Sequence, residues 1–182
     1  MYVAEMSDQR LRWGIAATGG IAAKMCTALA GLPEAEVVAV GSRTQESADA
    51  FASRFAIPHS HGSYEALFAD PDVDIVYVAT TNDRHLGNAL AAIDAGTPVL
   101  CEKPLAMGAA EAIRMVESAR SAGVFLMEAM WMRFNPHLGA MDRLISEGAI
   151  GTPNLVEASL SFSTPDASDR RWRSADLGGG TI

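Results

Sequence analysis

Residues 11–22 read LRWGIAATGGIA, and this stretch decides the fold. Leu11 to Ala17 is an apolar run broken only by Arg12. It ends in Thr18-Gly19-Gly20, and a helical pattern runs from Ile21 to Leu32. A strand without polar alternation is covered on both faces, as strands of parallel sheets are. A strand that stops at a glycine pair and enters a helix directly is the first half of a βαβ unit.

The same alternation continues outward. Glu36–Gly41 (EVVAVG) has the pattern of a second buried strand. Glu46–Phe55 is amphipathic, with Ala48, Phe51, Ala52 and Phe55 on one face. Ser63 is placed to cap a short helix ending at Phe68, and Asp74–Thr80 is the third strand. Leu86–Ala95 is a helix stopped by Gly96 and Pro98, and Pro98–Cys101 is the fourth strand. Ala109–Ala122 is a helix stopped by Gly123, and Val124–Glu128 is the fifth strand. This order predicts an α/β fold built on a doubly wound parallel (Rossmann) sheet.

The pattern changes near Met130. His137–Ser146 reads as a further helix, and Asn154–Ser163 (NLVEASLSFS) alternates, with Val156, Ala158, Leu160 and Phe162 on one face. Period-2 alternation marks a half-covered antiparallel strand. Residues 1–133 are therefore expected to form a dinucleotide-binding domain. Residues 134–182 are expected to begin a second α+β domain on a mostly antiparallel sheet, apparently cut short.

Composition bounds the function. The chain has 182 residues, 49% of them apolar, and its 14 basic against 22 acidic residues give a net charge of −8. Such an acid excess argues against a nucleic-acid partner, because phosphate contacts dominate that affinity. Cys26 and Cys101 lie far apart without a C-x-x-C, as buried free thiols of a reducing compartment do. No apolar run approaches the roughly 18 residues that span a membrane. Met1–Arg10 holds Glu5 and Asp8 and lacks an apolar core segment, so it does not read as a secretory signal. The expectation is a cytoplasmic protein without a membrane partner.

In doubly wound sheets ligands bind at the carboxyl ends of the strands. At the first end, Ala17-Thr18-Gly19-Gly20-Ile21-Ala22 fits G-x-G-x-x-A with Ala for the first Gly. Gly19 lets the backbone approach a pyrophosphate, and the helix N-terminus offers N–H groups to the anion. At the second end, Gly41-Ser42-Arg43-Thr44 carries no carboxylate for ribose hydroxyls. A hydroxyl and a cation suit a 2′-phosphate, so NADP is preferred over NAD.

The third end is Ala79-Thr80-Thr81-Asn82, with His85 close behind. Asn82 is a candidate helix cap. His85 either contacts substrate or cofactor, or sits on the surface of the helix's first turn. The fourth end is Cys101-Glu102-Lys103-Pro104. A lysine there is placed to polarise a hydroxyl or carbonyl, and its pKa shifts readily when it is partly buried. Tyr77 reads as core. His59 and His61 stand two apart in a loop, with no Cys or carboxylate pattern nearby, so no metal site is expected.

These motifs, on four successive strand ends, resemble the Gfo/Idh/MocA family of NAD(P)-dependent oxidoreductases. The family's Glu-Lys-Pro signature stands here as Glu102-Lys103-Pro104. The resemblance runs from about Leu11 to Ile182. Phe125–Pro136 (FLMEAMWMRFNP) is similar to the branch containing dimeric dihydrodiol dehydrogenases and xylose dehydrogenases, which are generally NADP-linked. The resemblance implies an enzyme that moves a hydride between a sugar, polyol or diol hydroxyl, or the matching carbonyl, and the nicotinamide. It implies that Lys103 contacts the reacting hydroxyl, that Glu102 orients it, and that Arg133 lies near nicotinamide or substrate. Trp131 counts with the cofactor-lining residues. Trp131 and Phe134 either floor the pocket or pack the core, the commoner use of such residues. A homodimer is implied at full length.

Two departures stand out. Ala17 in place of glycine is expected to ask only for a slightly different turn. Gly178-Gly-Gly180 leads in the family to a second acid/base group, but here Thr181-Ile182 follows and the chain ends. The alternative to an enzyme is therefore a nucleotide-binding module without catalysis. Trp172, among Arg170, Arg171 and Arg173, fits a substrate loop or a solvated basic turn equally well.

Overall fold

The buried run after Arg10 forms β1 (Leu11–Ala16), which pairs in parallel with β2 (Ala35–Gly41) on one side and β4 (Ile75–Val78) on the other. A computed structural model describes residues 10–159 and 174–177. Beyond β2 lies β3 (His59–His61), and beyond β4 lie β5 (Val99–Cys101) and β6 (Leu126–Glu128). All neighbours are parallel, and the order is β3-β2-β1-β4-β5-β6. The chain winds outward from β1 in one direction, returns, and winds outward in the other.

Alternate residues of a strand point to opposite faces, and here they enter two separate cores. Val38, Val76 and Val78 pack with Leu67 and Phe68 of α3 (Tyr64–Phe68), Ala89 and Ile93 of α4 (His85–Asp94), and Met115 of α5 (Ala109–Ala122). Ile15, Val40, Ile75 and Tyr77 pack with Ala22, Cys26 and Leu29 of α1 (Gly20–Leu29) and Phe51 of α2 (Gln45–Phe55). The sheet is thus covered on both faces, which is why its strands lack polar alternation. A fully buried side chain such as Ile15 or Leu67 stabilises the fold by about 1.5–3 kcal/mol relative to leaving it in water.

Arg12 is tolerated in β1 because carboxylates enclose it. Its Nε and Nη2 donate to Asp74 at 3.1 and 2.9 Å, and its Nη1 donates to Asp72 at 2.8 Å. The Arg12 hydrogen bonds hold the Asp74 carboxyl below the usual carboxylate range. Helix ends follow local chemistry. Thr44 and Ser63 accept from Ser47 and Ala66 main-chain N–H groups, and Asn135 caps α6 (Pro136–Ser146) with proline at its first turn. Gly123 closes α5 with φ +67°, a conformation open to glycine at little cost.

Several expectations are corrected. His59–His61 is a strand, not a loop. Three polar residues carry no apolar signature, and the pairing of His59 with Ala39 and His61 with Gly41 is made by main chain. Asn82 opens a short 3₁₀ turn (Asn82–Arg84) instead of capping α4, whose preceding residue is Arg84. Residues 154–159 form no strand, because no described segment lies beside them to complete a ladder. Residues 160–163, Arg170 to Arg173 with Trp172, and Gly178–Ile182 lie outside the described residues. No described helix is long and apolar enough to cross a membrane.

Candidate functional site

Because every strand is parallel, all six carboxyl ends open on one edge of the sheet. Main-chain hydrogen bonds continue past the strand ends and fasten the loops to one another. Ala17 N–H donates to Gly41 O at 3.1 Å, Ser42 to His61 O at 3.0 Å and Ala79 to Ala16 O at 3.0 Å. Glu102 N–H donates to Val78 O at 2.9 Å and Ala129 to Cys101 O at 2.7 Å. The order reverses between β1 and β4, and that crevice is where such sheets receive ligands.

The turn after β1 fits an anion. Gly19 caps α1 without any side-chain bond, and the first turn holds no acidic residue. A Cβ added at Gly19 or Gly20 would meet nothing within 4 Å. The uncapped N–H groups therefore face open space at the positive end of the helix, as a pyrophosphate requires.

Ala17 corrects an expectation. Its φ is +129°, a region that L side chains rarely adopt, so the turn is the glycine turn with a methyl forced into it. Such a residue stores about 1–3 kcal/mol, while glycine costs about 0.5–1 kcal/mol in chain entropy. Ala17→Gly is thus expected to raise unfolding stability by about 1 kcal/mol, read as a higher urea midpoint at unchanged slope. An unchanged or lower midpoint would show that the turn carries no strain.

At the end of β2 the backbone is drawn close to α3. A Cβ at Gly41 would lie 2.9 Å from Leu67 Cβ. Ser42 is buried, whereas Arg43 projects into solvent with no carboxylate among residues 41–45. Burial pushes the Tyr64 hydroxyl up, and the Arg43 charge opposes that rise.

The ends of β4 and β5 are joined by His85, which is fully buried. Its Nδ1 lies 2.8 Å from Pro104 O and its Nε2 3.2 Å from Thr80 O. This corrects the surface reading of His85: the ring is buried and its two nitrogens are directed to main chain. Asn88 Nδ2 donates to the Thr80 hydroxyl at 3.2 Å, securing the same loop.

Glu102 accepts the Tyr77 hydroxyl on one oxygen and the Lys103 main-chain N–H on the other, at 3.0 Å. Glu102 thus fixes the backbone at Lys103, and among the described residues no ion pair engages the Lys103 ammonium, which is exposed. Tyr77 is core, as expected, but its hydroxyl grips this turn. Burial, then the hydrogen bond to Glu102, pushes that hydroxyl up. The only sign of this in the sequence is a hydroxyl within an otherwise aliphatic strand, IVYV. Cys101 is a buried free thiol as expected, and burial followed by the Glu102 and Glu128 charges pushes it to about 12. Glu128 accepts Leu105 N–H at 2.9 Å, which holds the exit of the Glu-Lys-Pro segment against β6.

Trp131, Arg133 and Phe134 lie on a 3₁₀ turn directly after β6. Trp131 is 66% exposed and Phe134 65%, so core packing is not their use among the described residues. The structure brings Ala17–Ile21, Ser42, Arg43, Thr80, Thr81, Asn82, Glu102, Lys103, Trp131 and Arg133 to strand ends on the same edge.

Comparison with known proteins agrees with this geometry. A family model described as "Oxidoreductase family, NAD-binding Rossmann fold" (GFO_IDH_MocA) matches residues 11–130. The trans-1,2-dihydrobenzene-1,2-diol dehydrogenase of Mus musculus is 44% identical over 177 residues, covering 94% of this chain and 52% of that protein. The Danio rerio protein of the same name is 42% identical over the same shares. The chain spans about half the length of the curated relatives it matches. A 3-ketoreductase from Actinomadura kijaniata, in complex with TDP-benzene and NADP, superposes with TM-score 0.72 at 33% identity, covering 79% of this chain and 45% of that one. An oxidoreductase from Agrobacterium radiobacter in complex with NAD+, L-tartaric acid and magnesium gives TM-score 0.74 at 28% identity, covering 80% and 42%.

Proposed function

We propose, from the premise that this chain belongs to the Gfo/Idh/MocA oxidoreductase family, that it binds NADP(H) and presents Lys103 to a sugar, polyol or diol hydroxyl. The observation that carries this reading is the shared edge. The uncapped α1 N-terminus, the carboxylate-free Ser42-Arg43 end and the exposed ammonium of Lys103, which has no ion pair among the described residues, all open on it. Residues 1–133 would form the nucleotide domain, and 134–182 would begin the substrate and dimer domain of a longer homodimeric enzyme. The relatives that this chain resembles are named as diol dehydrogenases, which supports the substrate class.

In this reading, the α1 N–H groups receive the pyrophosphate, and Ser42 and Arg43 receive the 2′-phosphate. Thr80, Thr81 and Asn82 line the ribose side. Lys103 polarises the reacting oxygen and positions its proton, while Glu102, fastened by Tyr77, keeps the Lys103 backbone in place. Trp131 and Arg133 border the nicotinamide end. The bound nicotinamide supplies the hydride chemistry.

Titration of the chain with NADPH and NADH, followed by nucleotide fluorescence, tests the cofactor assignment. NADPH is expected to bind at least about tenfold tighter than NADH. Arg43→Ala is expected to weaken NADPH by about 10- to 100-fold and to leave NADH within about threefold, since a charge-assisted bond contributes about 1.5–3 kcal/mol. Equal losses for both nucleotides would contradict a 2′-phosphate contact. Failure to bind either would sink the proposal.

A further inference from the structure

His59, His61 and Asp70 meet at the free edge of the sheet, across β2 from the crevice between β1 and β4. His59 and His61 stand two apart on β3 and so share a face. Asp70 follows α3. His59 Nδ1 and His61 Nε2 each lie 2.8 Å from the same oxygen, Asp70 Oδ2. The three candidate ligand atoms all lie within 4.8 Å of one another. Sequence spacing hid the group, because Asp70 is nine residues beyond His61 and is delivered by α3.

We propose that His59, His61 and Asp70 form a divalent-cation site of the zinc class, with a fourth position open to water. The carboxylate is built in: its side chain is 5% exposed, and its other oxygen, Oδ1, takes the Asp72 N–H at 2.9 Å. A carboxylate oxygen only accepts, so each imidazole must donate a proton toward the same point. One cation there replaces both protons. A tetrahedral ion with bonds of about 2.0–2.1 Å sets ligand atoms about 3.3 Å apart, so the two carboxylate contacts open by about 0.5 Å while the His59–His61 nitrogen pair, within 4.8 Å, closes by up to about 1.5 Å. The second nitrogen of His59 stands 4.0 Å from the Asp72 carboxylate, too long for a hydrogen bond but near enough for the charge to favour a cation on the other nitrogen.

The donor set selects among metals. Two imidazoles and one carboxylate suit zinc and its late first-row neighbours, whereas magnesium and calcium favour oxygen alone. The two rings are 39% and 24% exposed, so an ion has access from solvent. The cysteines do not compete, because burial pushes Cys26 to about 11 and Cys101 to about 12. An ion at this point ties β3 to the segment after α3. The His61 carbonyl in turn accepts Ser42 N–H at 3.0 Å, so the tie braces the β2 end.

The test is a titration of the chain with Zn2+ against a chromophoric indicator, with Mg2+ as control. One zinc per chain is expected, with no comparable Mg2+ binding and a higher thermal midpoint on loading. His59→Gln and His61→Gln keep a donor toward Asp70 and are each expected to weaken zinc by at least about tenfold. His137→Gln, at the exposed start of α6, is expected to change nothing. Zinc should also shift the imidazole resonances of His59 and His61 in the unsubstituted chain while leaving those of His85 and His137 in place. That last measurement needs no variant to fold. Absence of saturable binding, binding that survives the double replacement of His59 and His61, or shifts confined to other histidines would each overturn the site.

Discussion

Lys103→Met is expected to slow NADP-linked oxidation of a diol or sugar by about 100- to 10,000-fold, the range that a positioned acid–base group supplies. NADPH affinity is expected to stay within about threefold. Methionine keeps the length of the side chain and removes the ammonium, so the variant isolates the charge. Two features of the structure require this separation of rate from binding. Lys103 is exposed on the ligand edge, and no ion pair among the described residues occupies its ammonium. The proposed phosphate seats lie elsewhere, at the α1 N-terminus and at Ser42-Arg43. The chain spans about half the length of the curated relatives it matches, so the rate is compared on a polypeptide of their full length and the dissociation constant on residues 1–182. A loss of affinity that matches the loss of rate would make Lys103 a binding residue. An unchanged rate would remove it from the chemistry. Binding without turnover in the unsubstituted full-length protein would favour a nucleotide-binding module.

What was legible in the sequence is what local chemistry decides. α5 runs from Ala109 to Ala122 as the pattern predicts, because Gly123 at φ +67° closes it. Five strands carry enough Val, Ile, Leu and Ala to announce themselves, and they set the order of the sheet. The sixth, His59–His61, is held by main-chain pairing to β2, which leaves no mark in side-chain type. The site was legible as a set of strand ends, since parallel topology alone brings those ends together. The contacts within it were not. His85 and Thr80 are five apart in sequence, but Pro104 comes from the loop after β5, and nothing local signals its contact with His85. Asp70 meets His59 and His61 only because α3 turns the chain back beside β3. At Ala17 the sequence shows a single methyl added to a glycine position and asks only for a slightly different turn. The backbone angle, and not the size of the methyl, is what separates alanine from glycine here.

His85→Leu carries the largest expected cost in stability, about 1–3 kcal/mol in urea unfolding. Leucine fills much of the ring's volume in a site with no solvent exposure, so the cavity contribution is small. The cost is polar. The Pro104 carbonyl loses its donor where water does not reach the ring, and a buried polar group left unpaired costs about 1–3 kcal/mol. Carbonyls only accept, so the ring must donate, and the shorter 2.8 Å contact marks Nδ1–H to Pro104 as the stronger bond. His85→Asn places an amide near the Nδ1 position and is expected to recover about half the loss. His85→Leu should also reduce NADPH affinity, because the two carbonyls belong to loops that leave β4 and β5 at the proposed ligand edge. A variant within about 0.5 kcal/mol of the parent would show that neither bond holds these ends. A variant that loses stability but keeps full NADPH affinity would show that the β4 and β5 ends are positioned by their main-chain ladder alone, through Glu102 N–H to Val78 O at 2.9 Å. The two readouts therefore separate a residue that holds up the fold from one that sets the geometry of the ligand edge.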